Sequence, residues 1–166
     1  GSSGLGFLVD AQGLILTDAS LVEKAPYLVV RRDAQRQFMA QLLVLDRKSG
    51  TAGLRGAPAA VADVTPPALL GEDEEPPREG DEVLAVGRTD GGMDLSATTG
   101  LVKKIGKRAI VHSALLKKGD VGGPLLNSRG VVIGMNAAPT RERSGSRRAV
   151  PIRLALEALR ESRERA

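Results

Sequence analysis

Gly119-Asp120-Val121-Gly122-Gly123-Pro124-Leu125-Leu126-Asn127 runs directly into Ser128-Arg129-Gly130-Val131-Val132-Ile133-Gly134-Met135-Asn136. A glycine-rich turn feeds a short apolar run, a second turn follows, and a β-branched run closes the stretch. The pattern reads as two antiparallel strands hung from a tight turn. Glycines on both sides of Asp120-Val121 suit a turn that holds its central side chain outward and its backbone N–H groups inward.

Outward from this stretch the chain continues in the same manner. Leu5–Val9 and Leu14–Thr17, separated by Asp10-Ala11-Gln12-Gly13, make a hairpin. Asp18–Val22 reads as a brief helical turn, and Tyr27–Arg31, Gln37–Asp46 and Ala52–Arg55 as strands. The second half repeats the pattern with Gly80–Gly87, Leu95–Lys103, Arg108–Ser113 and Arg148–Pro151. Strands recur every ten or so residues without intervening helices, which predicts an all-β barrel or sandwich. From Arg153 to Arg165 the spacing of Ile152, Leu156 and Leu159 predicts a closing helix with its charges on the opposite face.

Composition narrows the chemistry. Hydrophobic residues make up 42% of the 166 and aromatics only 2%, so the core is aliphatic. The chain has no cysteine, which excludes disulfides, thiolate catalysis and Cys-ligated metals. No apolar run is long enough to span a membrane. The net charge of +4 is unevenly spread: residues 101–166 hold 15 Lys/Arg against 5 Asp/Glu, and residues 1–100 hold 9 against 15. Much of the acidic excess falls in the Pro/Glu-rich segment 71–80, which reads as a solvated spacer between two lobes. The expected organisation is an N-terminal β lobe over 1–70, the acidic linker 71–80, a C-terminal β lobe over 81–151 and a helix over 152–166.

Several motifs, in order, resemble the trypsin-like serine proteases, and most closely the bacterial HtrA/Deg protease domains. Gly119-Asp120-Val121-Gly122-Gly123-Pro124-Leu125 resembles their nucleophile turn, Gly-Asn-Ser-Gly-Gly-Pro-Leu. Gly4–Asp10 and Leu14–Val22 are similar to the family's opening hairpin and its Ile-Leu-Thr-Asn-Ala-His-Val-Val segment. Asp46–Arg55 sits where the family has Asp-x-x-x-Asp-Leu-Ala-Leu-Leu-Lys, while Gly80–Gly87 and Arg148–Ile152 match the later strands. The resemblance implies an all-β, trypsin-like double β-barrel, two six-stranded Greek-key barrels with a C-terminal helix. It also implies a periplasmic or otherwise extracytoplasmic setting and a PDZ domain following the helix in a longer chain.

The family's chemistry requires a hydroxyl nucleophile, an imidazole to take its proton and a carboxylate to orient the imidazole. By the resemblance these places fall to Val121, Ser20 and Gly50, and none of the three residues performs the role assigned to its place. The expectation is therefore a degenerate triad: a pseudoprotease that is not an enzyme and uses no cofactor and no metal. What the resemblance leaves is the turn's backbone. The N–H groups of Gly119 and Val121 correspond to the donors that face a substrate carbonyl. Together with Asp120 they form the expected peptide cleft, with the edge Asn136-Ala137-Ala138 available to pair with an extended peptide. Lys117, Lys118, Arg147 and Arg148, with the loop between Arg141 and Arg148, form a basic rim that suits an acidic peptide or a carboxylate.

The expected role is protein or peptide binding, or scaffolding, by a monomeric domain. One alternative is residual or non-standard serine-type hydrolysis. It would draw on Ser20, Ser113 or Thr51 with Asp18 or Asp120 as carboxylate, although no spacing pairs a hydroxyl with a base. The other is a repurposed fold that binds nucleic acid or metal. Lys103, Lys104, Lys107 and Arg108 cluster about Gly106, but the chain lacks the aromatic platforms of single-strand binders. His112, the only histidine, lacks a second imidazole or a thiolate to share a metal, and reads as a strand histidine on the surface or satisfied by a neighbour.

Overall fold

The computed structural model describes residues 3–89, 92, 94–138 and 147–165, with side chains given through Glu161. Eleven strands and one long helix make up the described chain, with three short 3-10 turns between them. The first lobe holds β1 (Gly6–Leu8), β2 (Leu14–Asp18), β3 (Leu28–Arg31), β4 (Gln37–Asp46) and β5 (Thr51–Arg55), in the sheet order β1-β2-β5-β4-β3. The second holds β6 (Glu82–Arg88), β7 (Leu95–Ile105), β8 (Ile110–His112), β9 (Pro124–Asn127), β10 (Val132–Asn136) and β11 (Arg147–Pro151). These six close into a barrel in the order β10-β11-β8-β7-β6-β9. β9 returns beside β6 after the β6-β7-β8 meander, which is a Greek-key connection. The fold is thus the all-β double-barrel arrangement expected. Its first lobe is a five-stranded half-barrel among the described residues, and the count of six applies to the second lobe alone.

Alternation sorts the side chains onto faces. Along β6 the side chains of Val83 and Ala85 are buried in the barrel, while those between them are half exposed. Val102, Ile110, Ala114, Leu125, Ile133 and Ala149 complete that core. The first lobe packs Leu8, Ile15, Val22, Ala40, Ala52, Leu54 and Val61. A third cluster lies between the lobes, joining Phe7, Leu14, Leu16 and Val44 to Val132, Met135 and Val150.

The helix α1 (Ile152–Arg165) leaves β11 without a break and lays Ile152, Ala155 and Leu159 onto that inter-lobe cluster. Leu159 also reaches the first lobe, where a Cβ on Gly53 would come within 2.5 Å of its Cδ2. Burying such a side chain contributes about 1.5–3 kcal/mol. An exposed pair such as Arg32–Asp63, at 2.8 Å, contributes no more than about 1 kcal/mol. Apolar packing therefore sets the relation of the lobes. The connection between them is also fastened: Leu70 N–H donates to Val132 O at 3.0 Å and Val132 N–H to Ala68 O at 2.9 Å. No helix among the described residues is long and apolar enough to cross a membrane.

Candidate functional site

Lys118–Asp120 form a single 3-10 turn, and Val121 leaves it in extended conformation (φ −61°, ψ 135°). Gly122 then takes φ 94°, in the left-handed region. A Cβ there would overlap the Leu5 carbonyl oxygen and come within 2.8 Å of Thr17 Oγ1. Four hydrogen bonds fix the corner. Leu5 N–H donates to Val121 O (2.8 Å), Thr17 Oγ1–H to Leu5 O (2.6 Å), Gly122 N–H to Asn136 O (2.8 Å) and Asn136 N–H to Gly123 O (2.8 Å). The turn is therefore held by Leu5, just before β1, and by β2 of one lobe and β10 of the other. Asp120 is buried, and its carboxylate faces inward, accepting from Arg88 N–H at 3.0 Å and Lys117 N–H at 2.9 Å. Among the described residues, the N–H groups of Gly119 and Val121 have no acceptor. The Val121 side chain is buried and offers no nucleophilic atom.

Asp18 joins the first lobe to this turn. Its carboxylate caps the 3-10 turn Ala19–Leu21, with Oδ2 accepting from Ser20 N–H at 3.0 Å and from the Ser20 hydroxyl. Its Oδ1 accepts from Ala138 N–H at 3.4 Å, across the lobe boundary. Ala19 N–H donates to Gly50 O at 2.8 Å, which sets Gly50 beside the Ser20 turn. Gly50 has φ 74°, and a Cβ on it would meet nothing within 4 Å. Gly4 links Ser20's turn to residue 121, since a Cβ on it would lie 2.5 Å from Leu21 Cδ1 and 2.7 Å from Val121 O. Gly50 thus lies beside the Ser20 turn, and Gly4 packs between that turn and Val121.

The edge Asn136-Ala137-Ala138 is more occupied than its sequence implied. Asn136 N–H is bound to Gly123 O, Ala137 N–H to Arg148 O at 2.9 Å and Ala138 N–H to Asp18. A peptide laid there would find the carbonyl oxygens of Ala137 and Ala138 as acceptors, and no donor. Behind the edge, His112 and Asn136 form a buried pair, 3% and 0% exposed. Ala114 N–H donates to His112 Nδ1 at 3.1 Å, so the proton sits on Nε2 and is donated to Asn136 Oδ1 at 2.9 Å. Burial lowers the His112 pKa below its ordinary 6.5; the Asn136 bond opposes the shift and the charge of Arg147 adds to it. Both ring nitrogens are taken, which makes His112 a structural histidine. Asn136 Nδ2 is buried with no partner among the described residues.

The other hydroxyls separate. Ser113 Oγ accepts from Leu101 N–H at 2.9 Å, and Thr51 Oγ1 is buried without a partner among the described residues. The basic residues separate too. Lys117 Nζ turns back to Arg88 O at 3.0 Å, and Lys118 is exposed. Arg147 and Arg148 lie on β11 opposite His112 and Val111. Residues 141–146 fall outside the described residues. Asp18, already a candidate carboxylate from the sequence, bonds to a residue 120 positions away. Sequence reasoning missed one participant. Arg88, at the end of β6, has its guanidinium over Gly119, where a Cβ would approach Nη2 to 2.5 Å.

Comparison with known proteins gives this cleft its family. Residues 4–135 match the family of the trypsin-like peptidase domain, and the chain belongs to that family. It is 34% identical over 161 residues to a protein named "Putative serine protease HhoA" from Synechocystis sp., covering 90% of this chain and 40% of that protein. It is 33% identical over 144 residues to a "Probable periplasmic serine endoprotease DegP-like" of Halomonas elongata, covering 82% and 29%. The chain therefore spans less than half the length of these relatives. Among solved structures, the serine endoprotease from Yersinia pestis superposes with a TM-score of 0.81 at 25% identity, over 96% of this chain and 57% of that one. The HtrA-type resemblance is thus established.

One expectation is corrected. The chain was expected not to be an enzyme, but the matching family is a peptidase family and the relatives are named as serine proteases. The expectation rested on three places assigned by resemblance alone.

Proposed function

We propose that this HtrA-type domain binds an extended peptide in the cleft between its lobes, with a main-chain carbonyl or carboxylate on the N–H groups of Gly119 and Val121. The observation that carries the reading is the turn itself. Both lobes hydrogen-bond to it, yet two of its amides are left without acceptors. Unpartnered donors favour an oxygen ligand, because each gains a hydrogen bond when one arrives. The carbonyls of Ala137 and Ala138 would receive donors from the same peptide. The setting is extracytoplasmic and the partner a protein or peptide, in keeping with relatives named as periplasmic endoproteases. Titrating the ¹⁵N-labelled chain with a blocked, extended tetrapeptide tests the reading. Amide shifts confined to 119–123 and 136–138 are expected, and silence there overturns it.

A serine-type hydrolase is the second reading, favoured by the exposed Ser20 hydroxyl donating to the buried Asp18 carboxylate beside the same turn. Turnover of a fluorogenic peptide that is abolished in Ser20→Ala would support it. Turnover unchanged in that variant would remove Ser20 from the chemistry.

A further inference from the structure

The cleft contains a cation that nothing above puts to use. Arg88 ends β6, and its main chain is tied to the turn from both sides, through its N–H to Asp120 Oδ1 and its carbonyl to Lys117 Nζ. Its guanidinium lies over Gly119, close enough that a Cβ on Gly119 would meet Nη2, Cζ and Nε at 2.5, 3.4 and 3.5 Å. Arg88 forms no ion pair among the described residues. Its one side-chain hydrogen bond is a long 3.4 Å contact with Ser3 Oγ. The nearby Asp120 carboxylate accepts from two backbone amides, and no bond joins it to the Arg88 guanidinium among the described residues.

We infer that Arg88 and the amides of Gly119 and Val121 form one anion site, and that the cleft selects peptide carboxylates over neutral carbonyls. The inference rests on the peptide-binding reading above and adds the class of group bound. A planar guanidinium offers paired N–H donors that match a carboxylate and add little for an amide carbonyl. The Gly119 amide lies beside the guanidinium, so that both can serve one ligand. The half-buried position of Arg88 raises its effect above that of a fully solvated arginine.

The test uses three acetylated tetrapeptides of one sequence: a free C-terminal carboxylate, the C-terminal amide, and the amide with aspartate as last residue. Each is titrated into the ¹⁵N-labelled chain while the amides of 119–123 and Arg88 Nε–H are followed. The free acid is expected to bind at least tenfold more tightly than the amide. Arg88→Gln should bring it down to the level of the amide and leave the amide's own affinity unchanged. Arg88→Lys, which keeps the charge but not the fork, should restore part of the preference. Tight binding by the aspartate peptide would show that a side-chain carboxylate serves as well, and weak binding would assign the site to chain termini. Unchanged chemical shifts far from the cleft confirm that each variant is folded. Equal affinities for acid and amide, or a preference that persists in Arg88→Gln, overturn the anion site while leaving the peptide cleft intact. A turn silent to all three peptides overturns both.

Discussion

Two corners border the cleft, each turning on a glycine in the left-handed region, and they are built in opposite ways. At Gly122 there is no room for a side chain, because the Leu5 carbonyl occupies the place of the Cβ and Thr17 Oγ1 closes in behind it. At Gly50 there is nothing within 4 Å of that place. The first corner takes its shape from both lobes. The second is held by main-chain and capping bonds alone, with Gly50 N–H on Asp46 O at 3.0 Å and Ser49 Oγ–H on Asp46 Oδ2 at 2.6 Å. The turn over 119–123 is therefore a joint of the whole fold, whereas the corner at Gly50 is a local loop end with vacant space above it. A change at the first reaches both lobes, and a change at the second stays local.

Substitution should expose that difference most sharply at Gly122. Gly122→Ala combines about 1–2 kcal/mol of left-handed strain with a clash against backbone. It should cost at least about 3 kcal/mol, read as a fall in Tm of roughly 10 °C; a loss below about 1 kcal/mol would mean the joint is not rigid. Asp120→Ala comes next. It strips the acceptor from Arg88 N–H and Lys117 N–H and should cost about 2–3 kcal/mol in chemical denaturation. Asp120→Asn, which keeps one acceptor oxygen, should cost clearly less.

The His112–Asn136 pair behind the joint should add a smaller pH dependence. Because the folded-state pKa lies below 6.5, the unfolded chain takes up the proton first. Stability from this group is complete above that value and declines as the pH falls below it. Denaturation midpoints at pH 7 and pH 5 should therefore differ more in the native chain than in His112→Gln, which does not titrate. The smallest effect belongs to the open corner. Gly50→Asn meets no atoms and uses a residue that tolerates positive φ, so its cost should stay within about 1 kcal/mol. A larger loss would show that the space above Gly50 is not free.

Much of the fold was legible because strands announce themselves by alternation. Val83 and Ala85 on β6, and the long run Gln37–Asp46, were placed from pattern alone. The first lobe's five strands were each legible as apolar runs; the count of six came from the resemblance, and how a sheet closes leaves no mark in the spacing of apolar residues. The site was legible only where it is local. Gly122 is recognisable because few residues accept its backbone, and its motif is contiguous. Asp18 reads as a candidate carboxylate in a turn, with no sign of its bond to Ala138, and Arg88 reads as a charge at a strand end. The edge Asn136–Ala138 looked open because a sequence cannot show that β11, Gly123 and Asp18 have already claimed its amides. The reading of Val121, Ser20 and Gly50 as the end of all enzymatic function went beyond what three positions support.

The bond from Ala138 to Asp18 spans 120 residues and has a consequence for how the protein comes into being. Hairpins such as β6–β7 close short loops and form early, whereas contacts this distant in sequence are slow to find. In a chain made from its N-terminus, Asp18 and Leu5 are complete long before Val121 and Ala138 exist. The first lobe must therefore wait with the apolar faces of Phe7, Leu14 and Leu16 uncovered until β10 and the helix arrive to bury them. The cleft cannot close until residues from both halves of the chain are present.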